Sequence, residues 1–228
     1  MSDFVSAVGI EKIYDNGSKV AALKGVDLAI ARGDFAALAG PSGSGKSTLL
    51  NVIGTLDRPT KGAVRYEGRD VCALDAHAQA DFRLRALGFV FQAYNLIPVL
   101  TAAENIEYPL VLKGVESGQR RKLALEALRA VSLESFADRR PDLLSGGQQQ
   151  RVAVARAIVH RPSLVLADEP TANLDSKTGA QLLDLMEGLN KEQGITFLFS
   201  SHDPAVLERA RRVIHLHDGE LRADEVRR

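Results

Sequence analysis

The chain holds a single cysteine, Cys72. No disulfide can form within it, which fits a reducing compartment. Cys72 sits in no metal-ligand or nucleophile pattern and reads as inert. Net charge is also absent: 29 Lys and Arg offset 29 Asp and Glu, so no basic field spreads over the molecule to recruit nucleic acid. Short basic clusters at Arg120 to Lys122, Arg139 with Arg140, and Arg209 to Arg212 read as solvated helix faces or local contacts. No apolar run approaches the roughly 20 residues of a membrane-spanning helix. Met1, Ser2, Asp3 and Phe4 lack the basic segment and apolar core of a secretory signal. The expectation is a cytoplasmic chain that reaches a membrane only through a partner. His215 and His217 fit neutral or exposed strand positions rather than a metal site, and there is no internal repeat or low-complexity stretch. The remaining composition is ordinary, with 228 residues, 45% of them apolar and 25% charged, enough for one large domain or two small ones.

The stretch that organises the rest is Gly40-Pro-Ser-Gly-Ser-Gly-Lys-Ser-Thr48. It fits the P-loop pattern of a Gly, four residues and Gly-Lys-Ser/Thr. The preceding apolar run, residues 35–39, predicts a buried strand, and Thr48 to Ile53 predicts the first turns of a helix. A Gly/Ser-rich turn is the bland alternative, but these flanks place the motif where its mechanics need it. Gly40, Gly43 and Gly45 free the backbone so that successive N–H groups point inward, aided by the positive helix end. Lys46 would reach the β- and γ-phosphates, and the Ser47 hydroxyl would complete Mg²⁺ coordination.

Residues 1–34 predict β-structure, with a hairpin signal at Asn16-Gly17. Tyr14 lies just before that turn. Taken alone, it reads better as packing in a small sheet than as a platform for a nucleotide base. Residues 57–62 and 68–70 read as turns, 63–67 as a half-buried strand and 75–86 as a helix. Residues 88–91 form a short apolar strand that delivers Gln92. Residues 93–140 change character: Pro98, Pro109 and Pro141 punctuate them, and a capping box at Thr101 to Glu104 opens a helix. A further helix over about 117–131 sets Leu125, Leu128 and Val131 on one face. This predicts a helical subdomain inserted into an α/β core.

Leu144-Ser-Gly-Gly-Gln148 carries a second capping box, between Ser145 and Gln148, at a glycine-rich helix start. Such a start is a second ready-made anion site, or else simply a Gly-rich first turn. Residues 163–167 predict a buried strand ending in Asp168 and Glu169. An acid at such a strand end, downstream of a P-loop, is where a Mg²⁺-directing carboxylate sits in P-loop NTPases; Glu169 beside it could polarise a water. Asp175 caps a helix running to about 190, and Gly194 ends it. Another buried strand, 195–199, delivers His202 to the same edge, which favours a γ-phosphate role over a structural one. Residues 204–210 read as helix, and 213–221 as a closing hairpin about Asp218-Gly219.

Gly40 to Ser47, Gln92, Leu144 to Gln148, Leu164 to Glu169, Asp175 and His202 together resemble the ATP-binding subunit of an ABC transporter, over essentially the whole chain. The resemblance implies a P-loop NTPase α/β core with an N-terminal antiparallel β-subdomain and an inserted helical subdomain. It implies one domain over 1–228: the core is 1–92 and 160–228, and 93–159 is the helical part carrying the signature. Its cofactors would be ATP and Mg²⁺. Gly40, Ser42, Gly43, Ser44, Gly45, Lys46, Ser47 and Thr48 would hold the phosphates. Tyr14 would stack on adenine, against the reading from the residue alone. Gln92 would sense metal and γ-phosphate, Asp168 would hold Mg²⁺ through water, Glu169 would be the general base and His202 would hold the γ-phosphate. Ser145, Gly147 and Gln148 would bind the ATP held by a second copy of the chain, with Asp175 at the dimer seam. Residues 56–62, 88–98, 101–105 and 172–175 are similar to the branch containing lipoprotein-releasing and macrolide-efflux ATPases. The partners implied are a second copy and integral membrane permease subunits, on the cytoplasmic face of the inner membrane, with no nucleic acid. A regulatory ATPase signalling through a membrane partner stays open, as does, less favoured, a non-transport ATPase with the same head.

Overall fold

The computed structural model describes residues 3–15 and 17–227, so Asn16 of the expected turn lies outside the described residues. The chain divides into two compact units, Met1–Arg83 with Thr196–Arg228, and Leu84–Ile195. In chain order the first unit holds β1 (Val5–Asp15), β2 (Lys19–Ile30), β3 (Phe35–Ala39), α1 (Lys46–Ile53), β4 (Lys61–Tyr66) and β5 (Arg69–Asp70). The helix α2 (Ala76–Ala86) ends just past the boundary. The second unit holds β6 (Leu87–Val90), α3 (Ala102–Leu112), α4 (Ser117–Ala130), α5 (Gly146–Ile158), β7 (Leu164–Asp168) and α6 (Ser176–Gln193). The chain then returns to the first unit with β8 (Thr196–Ser200), α7 (Pro204–Arg209), β9 (Arg212–His217) and β10 (Glu220–Val226). No helix among the described residues is long and apolar enough to cross a membrane.

Within the first unit, four antiparallel strands pair in the order β2-β1-β4-β5. A separate group of strands is built around β3, whose five residues are all buried. It pairs in parallel with β8 on one side and β9 on the other, and β9 turns back into β10 through Asp218 and Gly219. A strand buried on both sides needs a continuous apolar run rather than an alternating one, and Phe-Ala-Ala-Leu-Ala supplies it. The rings of Phe35, Phe197 and Phe199 meet here, with centroid distances of 4.7 to 5.8 Å. Burying each ring contributes about 2–3 kcal/mol, which fixes β3 and β8 side by side. Leu38 pairs with Ser200. Two residues further on stand Gly40 and His202, so the parallel register brings the P-loop and the histidine to one sheet edge.

In the second unit α3, α4 and α5 close on one apolar core of Ala102, Ala103, Ile106, Leu128, Val152 and their neighbours. The many alanines let the helices approach closely. Thr101 caps α3 with Glu104 in a full capping box, as the sequence predicts. Pro109 lies inside α3. It removes one backbone hydrogen bond, and the core contacts of Ala102, Ala103 and Ile106 hold the helix through it. The strands β6 and β7 pair in parallel, Val90 against Ala167. Two residues beyond this pair stand Gln92 and Glu169, again at one strand edge.

His160 follows α5, and its Nε2 lies 3.0 Å from the Leu87 carbonyl, to which only an N–H can donate. Burial pushes its pKa below the ordinary value of 6.5. The folded chain therefore binds this proton less readily than the unfolded chain. The associated stability is present above about pH 6.5 and is lost as pH falls towards the folded value. Denaturant unfolding at pH 7.5 and 5.5 should show a loss of stability at the lower pH that shrinks in His160→Gln; an equal loss in both proteins would contradict this.

Candidate active site

The loop from Gly40 to Gly45 links β3 to α1. Gly40 and Gly45 have φ of 153° and 102°, in the region that L side chains avoid. Space forbids a side chain as well: a Cβ would come within 2.1 Å of the Leu216 carbonyl oxygen at Gly40 and 2.6 Å of the Ala22 oxygen at Gly45. The loop thus lies directly against β2 and the β9–β10 hairpin, whose Gly219 N–H donates to the Ser44 carbonyl at 3.0 Å. The Lys46 ammonium is almost buried and donates to the carbonyls of Gly40 (2.8 Å) and Pro41 (3.0 Å). The Ser44 hydroxyl is buried with no hydrogen-bond partner. A cation beside a glycine-rich loop at a helix start is an arrangement suited to receive an anion. Ser42 and Ser47 are exposed and Thr48 half-exposed.

Tyr14 is not packed into the sheet. It is 36% exposed, and its hydroxyl donates to Asp57 Oδ2 at 2.8 Å with the Thr48 hydroxyl beside it. Lys12 pairs with Asp57 Oδ1 at 2.6 Å, and its ammonium stands 4.8 Å from the Tyr14 ring centroid. Burial and the hydrogen bond to Asp57 push the Tyr14 phenol up, so it remains a neutral donor. For Asp57, burial acts upward, but the hydrogen bonds from Lys12 and Tyr14 prevail and hold it below the usual carboxylate range. An aromatic ring fixed beside the P-loop helix can receive a base. His202 is exposed at the end of β8.

The second unit carries the other candidates. Asp168 ends β7, and Glu169 follows with φ of 44°. Gln92 is exposed beyond β6, and its carbonyl accepts from Asn173 at 2.9 Å. The loop after Gln92 turns through left-handed Tyr94 and Asn95, whose carbonyls both accept from Arg156. Ser145 caps α5: its hydroxyl accepts from Gln148 N–H, and Gln148 Oε1 accepts from Ser145 N–H. Gly147 sits so close to α6 that a Cβ would meet Thr178 Cγ2 at 2.4 Å. Thr178 is also the partner of Asp175, giving its N–H to Oδ1 (3.0 Å) and its hydroxyl to Oδ2 (2.6 Å). These two bonds hold Asp175 below the usual carboxylate range. Signature helix and aspartate loop are therefore one packed assembly.

Sequence reasoning missed Lys12, Asp57, Arg156 and Asn173, whose partners are distant in the chain, and Thr178, which bonds Asp175 three residues away. It also missed Gln150, fully buried and bonded to the Pro170 carbonyl at 2.8 Å. Its spacing from Val154 and Ala153, inward-facing residues of the same helix, is the signal that could have found it. The oxygen donors of Ser47, Gln92 and Asp168 suit a hard cation. Among the described residues no cluster of three or more His, Cys, Asp or Glu could hold a metal alone.

The family model described as ABC transporter matches residues 23–172. The chain is 49% identical to an uncharacterised ABC transporter ATP-binding protein, MJ0796 of Methanocaldococcus jannaschii, covering 95% of this chain and 94% of that protein. A dimeric post-hydrolysis structure of MJ0796 bound to ADP and Pi superposes with a TM-score of 0.92 at 47% identity, over 98% of this chain and 99% of that one. The lipoprotein-releasing system ATP-binding protein LolD of Anaeromyxobacter dehalogenans is 48% identical over 96% of this chain and 93% of its own length. The macrolide export ATP-binding/permease protein MacB of Syntrophobacter fumaroxidans is 46% identical over 95% of this chain, which spans only 31% of that protein. The chain belongs to the ABC transporter family and has the fold of its ATPase cassettes. Within that family it is an ATP-binding, ATP-hydrolysing subunit of the LolD and MacB branch.

Gly147→Ala should displace Thr178 and with it the Asp175 cap. ATP hydrolysis should fall about 10- to 100-fold while nucleotide affinity, measured by titration, is retained. Unchanged hydrolysis would show that the Gly147–Thr178 contact is slack.

Proposed function

We propose that two copies of this chain close head-to-tail around two ATP molecules and that hydrolysis reopens them, driving integral membrane permease subunits. The observation that carries this reading is the presence of two anion-binding helix starts in one chain: the P-loop with Lys46, and the Ser145-capped start of α5. The dimeric state of MJ0796 supports it. Towards ATP, the backbone from Gly40 to Thr48 with Lys46 binds the phosphates, and Tyr14 receives the adenine. Ser145, Gly147 and Gln148 address the γ-phosphate of the nucleotide held by the other copy, with Asp175 at the seam between copies. Glu169 accepts a proton from the attacking water, His202 orients that water and holds the γ-phosphate, and Gln92 reports the γ-phosphate to the helical insertion.

Ser47, Gln92 and Asp168 are the residues that would hold Mg²⁺, directly or through water. When bound, the ion neutralises charge on the β- and γ-phosphates. Residues 93–159 form the insertion that passes motion to the permease, and α3 leaves Tyr108, Val111 and Leu112 exposed for such a contact. The names of LolD and MacB support a place on the cytoplasmic face of the inner membrane, as a peripheral subunit. The work done is export, lipoprotein release or transmission of force across the membrane.

Glu169→Gln should bind Mg·ATP, hydrolyse it at least about 100-fold more slowly and elute as a dimer in gel filtration with Mg·ATP. A monomer under those conditions contradicts the sandwich. Lys46→Ala should lose nucleotide binding in a titration; full affinity would remove the lysine from its phosphate role.

A further inference from the structure

Gln150 stands in α5, two residues past Gln148, and is fully buried. Its Nε2 donates to the Pro170 carbonyl at 2.8 Å and to the Phe91 carbonyl at 3.5 Å. Pro170 directly follows Glu169, and Phe91 directly precedes Gln92. Its Oε1 is buried with no hydrogen-bond partner. The amide orientation is dictated by its neighbours: both are carbonyl oxygens, and only the nitrogen can donate to them. An unpaired buried amide oxygen lowers stability, and an apolar residue of the same length would avoid that loss. Such a residue would lack the one thing Gln150 does, which is to tie the ends of two strands to a single helix.

Those two strand ends carry the side chains that must be aimed. Glu169 lies in the left-handed region, with φ of 44°, a conformation held only where the surroundings impose it. The carbonyl immediately after it is the one Gln150 holds. The first turn of the same helix is the capped, glycine-rich start at Ser145. A shift of α5 along its axis is therefore transmitted through one side chain to both Glu169 and Gln92.

We propose that Gln150 is a positioning residue that couples the signature helix to the general base and to Gln92, so that engagement of the helix start sets the geometry for hydrolysis. The inference rests on the roles given above to Ser145, Gln148 and Glu169. It assigns Gln150 no contact with nucleotide, so binding and turnover should separate. In Gln150→Met, kcat should fall about 100-fold while KM for ATP stays within about twofold of the parent chain. A second reading needs no catalysis. The Tyr94 N–H donates to the Phe91 carbonyl and the Ala172 N–H to the Glu169 carbonyl. With the anchor gone, hydrogen exchange at these two amides should quicken at least about tenfold, while the α3–α4 core amides keep their protection. Should Gln150→Met unfold at the assay temperature, Gln150→Asn, whose amide is too short to reach both carbonyls, takes its place in the same measurements. Unchanged kcat with unchanged exchange overturns the proposal. So does a loss in which KM, kcat and the protection of the core amides all deteriorate together, which would mark Gln150 as a packing residue. Failure of Glu169→Gln to dimerise would instead strike the sandwich reading, and the exchange measurement on Gln150→Met does not depend on it.

Discussion

The Lys46 ammonium stands at the first turn of α1, held by two carbonyls of the loop that leads into the helix. This is possible only because the loop takes left-handed dihedrals and lies hard against carbonyl oxygens of β2 and β9, where no Cβ would fit. The surrounding architecture of the first unit serves that constraint. The buried strand β3 fixes the loop's origin, β8 and β9 flank it in parallel register, and the Asp218–Gly219 turn supplies a hydrogen bond to Ser44. The Lys46 side chain can be almost buried here because it donates to two backbone carbonyls. On the proposed reading, phosphate would meet a backbone already folded to receive it, at little reorganisation cost.

The second unit uses the same physics differently. At Ser145 the helix start is capped by side chains, with exposed Ser145 and glycines at its first turn. Gly147 packs against Thr178, Thr178 holds Asp175, and Arg156 and Gln150 gather the loops after β6 and β7 around the same helix. Within this unit the loops after β6 and β7 and the Asp175 cap are therefore all referenced to α5.

Much of this was legible in the sequence because local patterns carried it. The P-loop strand and helix, both capping boxes, the Asp175 cap and the closing hairpin all follow from apolar runs, cap residues and turn residues within a few positions. Pro109 shows the limit of local propensity, which marks it as a helix breaker, whereas the packing of Ala102, Ala103 and Ile106 keeps the helix continuous. Tyr14 misled because exposure is not a local property: its ring is held outside the sheet by Asp57 and Lys12, more than 40 positions away in the case of Asp57. Gln150, Arg156 and Asn173 escaped notice because a hydrogen bond to a distant backbone carbonyl leaves no periodic trace. Family likeness said nothing of these three.

The central claim is that a competent hydrolytic site needs two copies of the chain. It is tested most directly by the specific rate of ATP hydrolysis, at saturating Mg·ATP, over a range of protein concentration from well below to well above the dimerisation midpoint. The account predicts a rate per chain that rises with concentration and levels off once the chain is dimeric. A rate per chain that is constant across the whole range, with the chain monomeric at its lower end, would show that one copy suffices and would contradict it.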